Sequence, residues 1–494
     1  MKPLLKTENL EIRSATAQLV QPLSIELLPG KVLTIIGETG SGKSLFAQGV
    51  VGNLPAGLQA HGHVAFADSF DEDARSNGRQ ALWGREIAVL PQEPWLSLDP
   101  TMRALPQVSE TYRYVVGHDQ QQAQALASQD MSRLGLEAAQ HKYPYQLSGG
   151  MAQRLAFAAT YAGGARVLIA DEPTKGLDSD RIDEVITLLQ AGLAKGGALL
   201  IITHDTEVAR RLGGEVMIML KGKVIEKGSA EQVLNVPRHA YTQQLLAAAP
   251  AKWARRAPAQ IAGDPVVRVT DLGVDRGGRA LFRQLSFNVR PGEIVGVTGP
   301  SGCGKSTLGD VILGLMSSSE GNVAKPSMAP DVAFQKLFQD PVAAFPPTVT
   351  LARNLADLVK LHRLDASRIG PLLQRLRLEP ALLQRLPGQV SGGELQRFSL
   401  LRVLLLDPVF IFADEPSSRL DQITQKEMLE LLLDAATERK TAILLVSHDE
   451  ALIDAVCDQR IRLGETARDC EPAPAPPPVT CEAIGLNSPP GDAA

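Results

Sequence analysis

Two stretches of the chain hold the residue types that grip phosphate. The first is Gly37-Glu38-Thr39-Gly40-Ser41-Gly42-Lys43-Ser44, and the second is Gly299-Pro300-Ser301-Gly302-Cys303-Gly304-Lys305-Ser306. Glycines at this spacing let backbone N–H groups crowd around phosphate oxygens, and a helix that starts at the lysine adds the positive end of its dipole. Lys43 and Lys305 then reach the β- and γ-phosphates, and Ser44 and Ser306 offer hydroxyls to Mg²⁺. One such match is weak alone; two in equivalent contexts are specific. Further on, the apolar runs VLIA and FIFA each end in an acid pair, Asp171-Glu172 and Asp414-Glu415. An aspartate there can hold the Mg²⁺ shell, and the glutamate beside it is placed to polarise an attacking water. In isolation such a pair would read as a helix cap; behind a phosphate loop in the same repeat it reads as chemistry.

These side chains need strands to carry them. Residues 31–37 and 293–299 are predicted to be buried strands feeding the two loops, and 166–170, 198–203, 409–413 and 442–447 further buried strands. Strands separated by helical segments imply α/β units with parallel pairing. Residues 102–145 and 349–387 read as mostly helical insertions, one per copy. The copies are related by an offset of 262 positions at the loops, which falls to 243 at the acid pairs, so nineteen residues are missing from the second copy between them. A repeat of half the chain is a duplicated domain and not a solenoid. The expected division is a first domain over 1–248, a linker rich in Ala and Pro over 249–265, a shortened second domain over 266–465, and a Pro-rich tail over 466–494. That tail cannot bury enough apolar surface to order itself.

Bulk properties narrow the class. With 494 residues, two cores are affordable. The formal charge of −5 argues against a protein held mainly by nucleic-acid phosphates. Cys303, Cys457, Cys470 and Cys481 form no CxxC pair, and a reducing compartment is the simple reading. Residues 1–13 have no long apolar core, so no signal peptide is expected. Apolar runs such as 198–202 fall far short of the ~20 residues a membrane helix needs, so any membrane role must come through a partner.

Leu147-Ser148-Gly149-Gly150 and Val390-Ser391-Gly392-Gly393, each running on to a Gln-Arg pair, resemble the signature of ABC transporter ATPases. With the loops and acid pairs, the resemblance extends to about residue 465. It implies two P-loop nucleotide-binding domains, each with a RecA-like α/β core, an antiparallel β subdomain and a helical subdomain. It further implies that ATP, with Mg²⁺, lies between the phosphate loop of one cassette and the signature of the other. Glu172 and Glu415 match the catalytic glutamate, and His204 and His448 the switch histidine near the γ-phosphate. Gln92 and Gln339 match the glutamine that senses Mg²⁺ and the membrane partner. Gly176-Leu177-Asp178 and Arg419-Leu420-Asp421 match the loop that touches the opposite site. One composite site would then combine Lys43, Gln92, Glu172 and His204 with Ser391 and Gly393, and the other Lys305, Gln339, Glu415 and His448 with Ser148 and Gly150.

The chain also departs from the family pattern. Where an aromatic usually stacks on adenine it has Arg13 or Ser14, and Arg276. After the loop serine, the second copy has Thr307 and the first has Leu45, which lacks a hydroxyl near the α-phosphate, so a weaker grip is expected at the first site. Residues 92–100 and 236–246, QEPWLSLDP and VPRHAYTQQLL, resemble segments of the oligopeptide, dipeptide and nickel importer ATPases. The resemblance thus implies the energy-coupling ATPase of an importer at the cytoplasmic face of the bacterial inner membrane. It would work with two separate permease subunits and an extracytoplasmic solute-binding protein, and no nucleic acid. A fused vitamin or metal importer ATPase, and a soluble tandem ATPase acting on ribosomes or DNA, are the rival readings.

Overall fold

The computed structural model describes residues 2–67, 69–76, 78–91, 97–174, 179–194, 196–257, 263–300, 302–326, 331–418, 420–464 and 471–472. The first half opens with β1 (Leu5–Arg13) and β2 (Gln18–Leu27), then β3 (Val32–Ile36), α1 (Lys43–Val51), β4 (Gln59–Phe66), β5 (Phe70–Asp73) and β6 (Ile87–Leu90). A helical segment follows: α2 (Ala104–Glu110), which runs into a wider π turn, α3 (Gln120–Arg133) and α4 (Gly149–Tyr161). Then come β7 (Val167–Asp171), α5 (Ser179–Ala194), β8 (Ala198–Thr203), α6 (Thr206–Leu212), β9 (Glu215–Leu220), β10 (Lys223–Ser229), α7 (Ala230–Asn235) and α8 (Ala240–Ala247).

The second half repeats the plan. Its sheet elements begin with β11 (Val267–Arg276), β12 (Arg279–Val289), β13 (Ile294–Thr298), α9 (Lys305–Leu313), β14 (Glu320–Ala324) and β15 (Phe334–Leu337). Next are α10 (Leu351–His362), α11 (Ile369–Arg375) and α12 (Gly392–Leu405). Last are β16 (Phe410–Asp414), α13 (Gln422–Arg439), β17 (Ala442–Val446), α14 (Glu450–Val456), β18 (Gln459–Arg462) and β19 (Glu471–Pro472).

Each half pairs a mostly parallel sheet with an antiparallel one. The larger sheets run β10-β9-β3-β8-β7-β6 and β15-β16-β17-β13-β18-β19, with the strand that feeds the phosphate loop in the interior. β3 and β13 are buried at every position, as expected for strands covered on both faces. The antiparallel sheets, β2-β1-β4-β5 and β12-β11-β14, alternate buried and exposed positions and pack their apolar faces on the loop helices α1 and α9. Among the described residues the second has no counterpart of β5, which is where the shorter copy lost sequence. The helical segment holds together through one face: Ala123, Ala127 and Met131, four apart on α3, are buried, the last two in a cluster with Val108 of α2 and Leu155 of α4.

The stretch after the first half is docked. Trp253 packs against the core of the second half and donates its indole N–H to the Ala248 carbonyl at 2.9 Å. Arg256 donates its backbone N–H to Ala455 and pairs with the buried Asp458 at 3.1 Å. Asp458 also accepts the Ile294 N–H at 2.9 Å, at the start of β13. Arg256→Ala removes one charged partner of that buried carboxylate and is expected to destabilise the second half by about 2 kcal/mol, read as a lower urea midpoint. Glu471 and Pro472, within the stretch expected to lack order, add a short antiparallel strand beside β18; residues 473–494 lie outside those described.

Candidate nucleotide sites

Both phosphate loops stand where the sequence predicts, between a buried strand and the first turn of a helix. Gly42 and Gly304 precede α1 and α9 with φ of 99° and 104°, in the left-handed region that a side chain disfavours. Lys43 Nζ donates to the carbonyls of Gly37 and Glu38 at 2.8 Å each, and to Ser41 Oγ at 3.3 Å. Lys305 Nζ matches it, donating to Gly299 at 2.7 Å and Pro300 at 3.1 Å. Each lysine is thus tied across the mouth of its own loop. Burial holds Lys43 below the usual lysine range, opposed by the carboxylates of Glu172, Asp171, Asp421 and Glu38. Ser301 lies outside the described residues. Cys303 is half-buried, and burial pushes its thiol up. Thr307 is buried in the first turn of α9, whereas Leu45 packs into the core of the first half.

The acid pairs sit at the ends of β7 and β16. In the second half Ser306 Oγ donates to Asp414 Oδ1 at 3.0 Å, and burial raises the Asp414 carboxyl above its ordinary range. In the first half Ser44 and Asp171 line one cavity. A hydroxyl and a carboxylate converging at a helix start form a hard-oxygen donor set, which suits Mg²⁺.

Glu172 and Glu415 share an unusual backbone. Their φ values are 50° and 45°, a region that costs a non-glycine residue about 1 kcal/mol or more and is concentrated at functional sites. The turn is fixed by Glu172 N–H donating to Ile202 at 2.7 Å and Glu415 N–H to Val446 at 3.2 Å. It swings each carboxylate onto its histidine: Glu172 Oε2 is 2.8 Å from His204 Nδ1, and Glu415 Oε1 is 2.5 Å from His448 Nε2. Thr203 Oγ1 also donates to Glu172 at 3.2 Å, and Gln339 Nε2 to Glu415 Oε2 at 2.7 Å. Gln339 therefore joins its glutamate directly; Gln92 falls outside the described residues.

Ser148 and Ser391 are the N-caps of α4 and α12, accepting N–H bonds from Met151 and Glu394 at 3.3 Å. Gly149, Gly150, Gly392 and Gly393 form the first helical turns, so the second glycine of each signature lies inside the helix and not before it. Ser391 is further engaged by Glu394, which accepts from both its N–H and its hydroxyl at 2.8 Å. Among the described residues no hydrogen bond joins either signature serine to the loop of the other half.

What does cross between the halves is the segment after Arg419. Asp421 lies near enough to Lys43 and Glu38 to act on both charges, and Ile423 packs with a first-half cluster that includes Ile36 and Tyr241. Burial raises the Asp449 carboxyl, the residue after His448, and the charge of Asp205, the residue after His204, acts on it in the same direction from the other half. Asp178 and its neighbours 175–177 lie outside the described residues.

Tyr241 was missed by motif reasoning. Its hydroxyl accepts the Glu38 N–H at 3.0 Å, so the HAYT turn at the start of α8 braces the first phosphate loop from outside. Burial pushes that phenol up. The 236–246 segment stood out in the sequence, but nothing in it pointed to the phosphate loop, since the partner of Tyr241 lies 203 positions away. Tyr241→Phe is expected to weaken nucleotide binding at the first site about three-fold, the size of one hydrogen bond, and to leave the second unchanged; fluorescent-nucleotide titration of Lys305→Ala and Lys43→Ala backgrounds reads the sites separately. Of the side chains considered for adenine stacking, Arg13 is held by Glu11 at 2.8 Å, and Arg276 ends β11 on an exposed face.

Comparison with known proteins agrees with this anatomy. The ABC transporter family matches residues 20–175 and 282–418. The peptidoglycan transport ATP-binding protein YejF of Agrobacterium fabrum is 31% identical, covering 93% of this chain and 91% of its own. The glutathione import ATP-binding protein GsiA of Escherichia coli K12 is 32% identical, covering 92% and 83%. Among solved structures, the RNase-L Inhibitor superposes with a TM-score of 0.62 at 19% identity, covering 94% of this chain and 89% of that one. An archaeal ribosome recycling factor does so with 0.61 at 21%, covering 91% and 86%. Those two share the tandem fold. With both halves matched and import-system ATPases related along nearly the whole chain, the protein belongs to the ABC transporter family and is a tandem ATPase of it.

Proposed function

We propose that this ATPase powers a solute importer. The observation that carries the reading is its similarity, along some nine-tenths of its length, to ATP-binding proteins of peptidoglycan and glutathione import. Among the described residues no helix is long and apolar enough to cross a membrane, so the chain would act on two separate permease subunits fed by a solute-binding protein. A small peptide-like solute or a metal chelate is the class of cargo.

In this reading each half binds ATP on its loop and completes the site with the other half's signature, Ser391 and Gly393 for Lys43, Ser148 and Gly150 for Lys305. Ser44 with Asp171, and Ser306 with Asp414, would hold Mg²⁺, which neutralises phosphate charge when bound. Glu172 and Glu415 orient a water and take its proton, while His204 and His448 fix each carboxylate and face the γ-phosphate. Gln92 and Gln339 relay the site's state to the permease. The division into 1–248, 249–265, 266–465 and a tail is proposed with it, supported by the two matched pairs of sheets.

Affinity capture of the full chain from solubilised membranes tests the reading. Recovery of polytopic membrane proteins that raise its ATPase rate is expected. Recovery of ribosomes with no membrane protein would overturn it in favour of a soluble tandem ATPase.

A further inference from the structure

The second half carries, beside its cation site, an ion pair at two positions whose counterparts in the first half are uncharged. Lys336 stands on β15 opposite Phe412 of β16, two residues before Asp414. Its ammonium lies 2.6 Å from Asp310 Oδ1 and 3.7 Å from Asp414 Oδ2, above the rings of Phe338 and Phe412 at 5.4 Å each. The lysine side chain is 15% exposed, so solvent and salt screen it poorly. Asp310 projects from α9, the helix that begins at Lys305.

The corresponding positions of the first half are uncharged. Strand register places Val89 opposite Ile169 where Lys336 faces Phe412, and the loop offset aligns Gln48 with Asp310. Val89, Gln48 and Ile169 line a cavity of 590 Å³ that reaches Ser44 and Asp171. In the second half the Phe412 ring lies so close to Gly309 that a Cβ there would run into it. One half thus has an open, mostly apolar space behind its cation ligands; the other has an aromatic ring and an ion pair.

We propose that Lys336, braced by Asp310, is a positioning residue of the second site that steadies the Asp414 carboxylate against Ser306 and, as a resident positive charge, weakens that site's hold on its divalent cation relative to the first. Asp310 sets how much of that charge Asp414 sees. With Asp310 in place the ammonium is shared, nearer to Asp310; without it, Asp414 is the remaining partner and the lysine moves onto the cation's ligand. The two partners therefore act in opposite directions, which a purely structural ion pair would not do. The inference rests on the reading that Ser306 and Asp414 hold the cation.

The test is Mn²⁺ binding, followed by electron paramagnetic resonance with saturating ADP, in the full chain carrying Lys43→Ala so that the second site dominates. Lys336→Val is expected to tighten Mn²⁺ about ten-fold, Asp310→Gln to weaken it about as much, and Lys336→Arg to change it less than about two-fold, from Coulomb energies at this range. Should Lys336→Val fail to fold with Asp310 unpaired, the double change Lys336→Val with Asp310→Gln supplies the first half's residue types and is still expected to tighten Mn²⁺. Shifts of both single variants in one direction, or no shift in any variant, would overturn the proposal. Asp414→Asn separates the two levels. If it abolishes Mn²⁺ binding while the Lys336 variants move nothing, the inference alone fails; if it leaves binding intact, the assigned cation site fails and the inference with it.

Discussion

Glu172→Gln and Glu415→Gln together are expected to lower ATP turnover by about two to three orders of magnitude, the range that a positioned general base supplies. Either change alone should remove most of the rate at its own site. Glutamine keeps the shape and can still meet His204 or His448, but it cannot take a proton from water. The left-handed backbone at φ 50° and 45° stays as it is, because both residues carry a Cβ and meet the same steric cost. Nucleotide binding should therefore survive while phosphate release stops. Phosphate release measured beside fluorescent-nucleotide binding distinguishes this from a folding defect. Unchanged turnover in Glu172→Gln would show that the first site's base has been misassigned.

Gly37→Ala and Gly299→Ala have the next largest expected effect. A Cβ at Gly37 would run into the Met219 carbonyl, and one at Gly299 into the Leu463 carbonyl. Both obstacles are backbone on the strand side of the loop, β9 in the first half and the residue after β18 in the second, so neither can swing aside as a side-chain tip would. Gly299 adds a φ of 142°, disfavoured for any side chain. The loop must shift, and the carbonyls of Gly37 and Gly299, which accept from Lys43 and Lys305, shift with it. Nucleotide affinity at the altered site should drop by about 100-fold, equivalent to about 3 kcal/mol and within the cost of forcing atoms into a packed backbone. Isothermal titration in the background of the opposite lysine variant reads each site separately. Affinity within about two-fold of the parent, less than the loss of a single hydrogen bond, would mean these loops are not the phosphate cradles.

Much of this arrangement was legible because it is local. The β-branched runs before each loop became β3 and β13, the run before each acid pair became β7 and β16, and the insertions at 102–145 and 349–387 are helical. Glycine spacing encodes a backbone conformation directly, so Gly42 and Gly304 could be placed from sequence. Part of the nineteen-residue shortening also had a structural meaning: among the described residues the second antiparallel sheet has no counterpart of β5. Contacts between distant segments were not legible. Nothing in HAYT announces that Tyr241 holds the Glu38 N–H, since the pairing depends on how α8 packs on β3 and β9. The left-handed glutamates were hidden too, because that turn is imposed by Ile202 and Val446 on the neighbouring strands. Stretch 249–265 reads as a spacer by composition, yet Trp253 and Arg256 are anchored by partners that only the fold brings near.

That anchoring changes the kinetic order of the machine. Two separate cassettes must find each other, and their closure depends on how many are present. Here the connecting segment is partly fastened to the second half through Trp253 and Arg256, so in the closure proposed above one cassette would meet the other at an effective concentration set by the tether and not by expression level. ATP turnover per molecule should then stay constant on dilution. The tether also joins two unlike halves in a fixed order, which gives every assembled particle the same handed pairing of its fuller and its trimmed cassette.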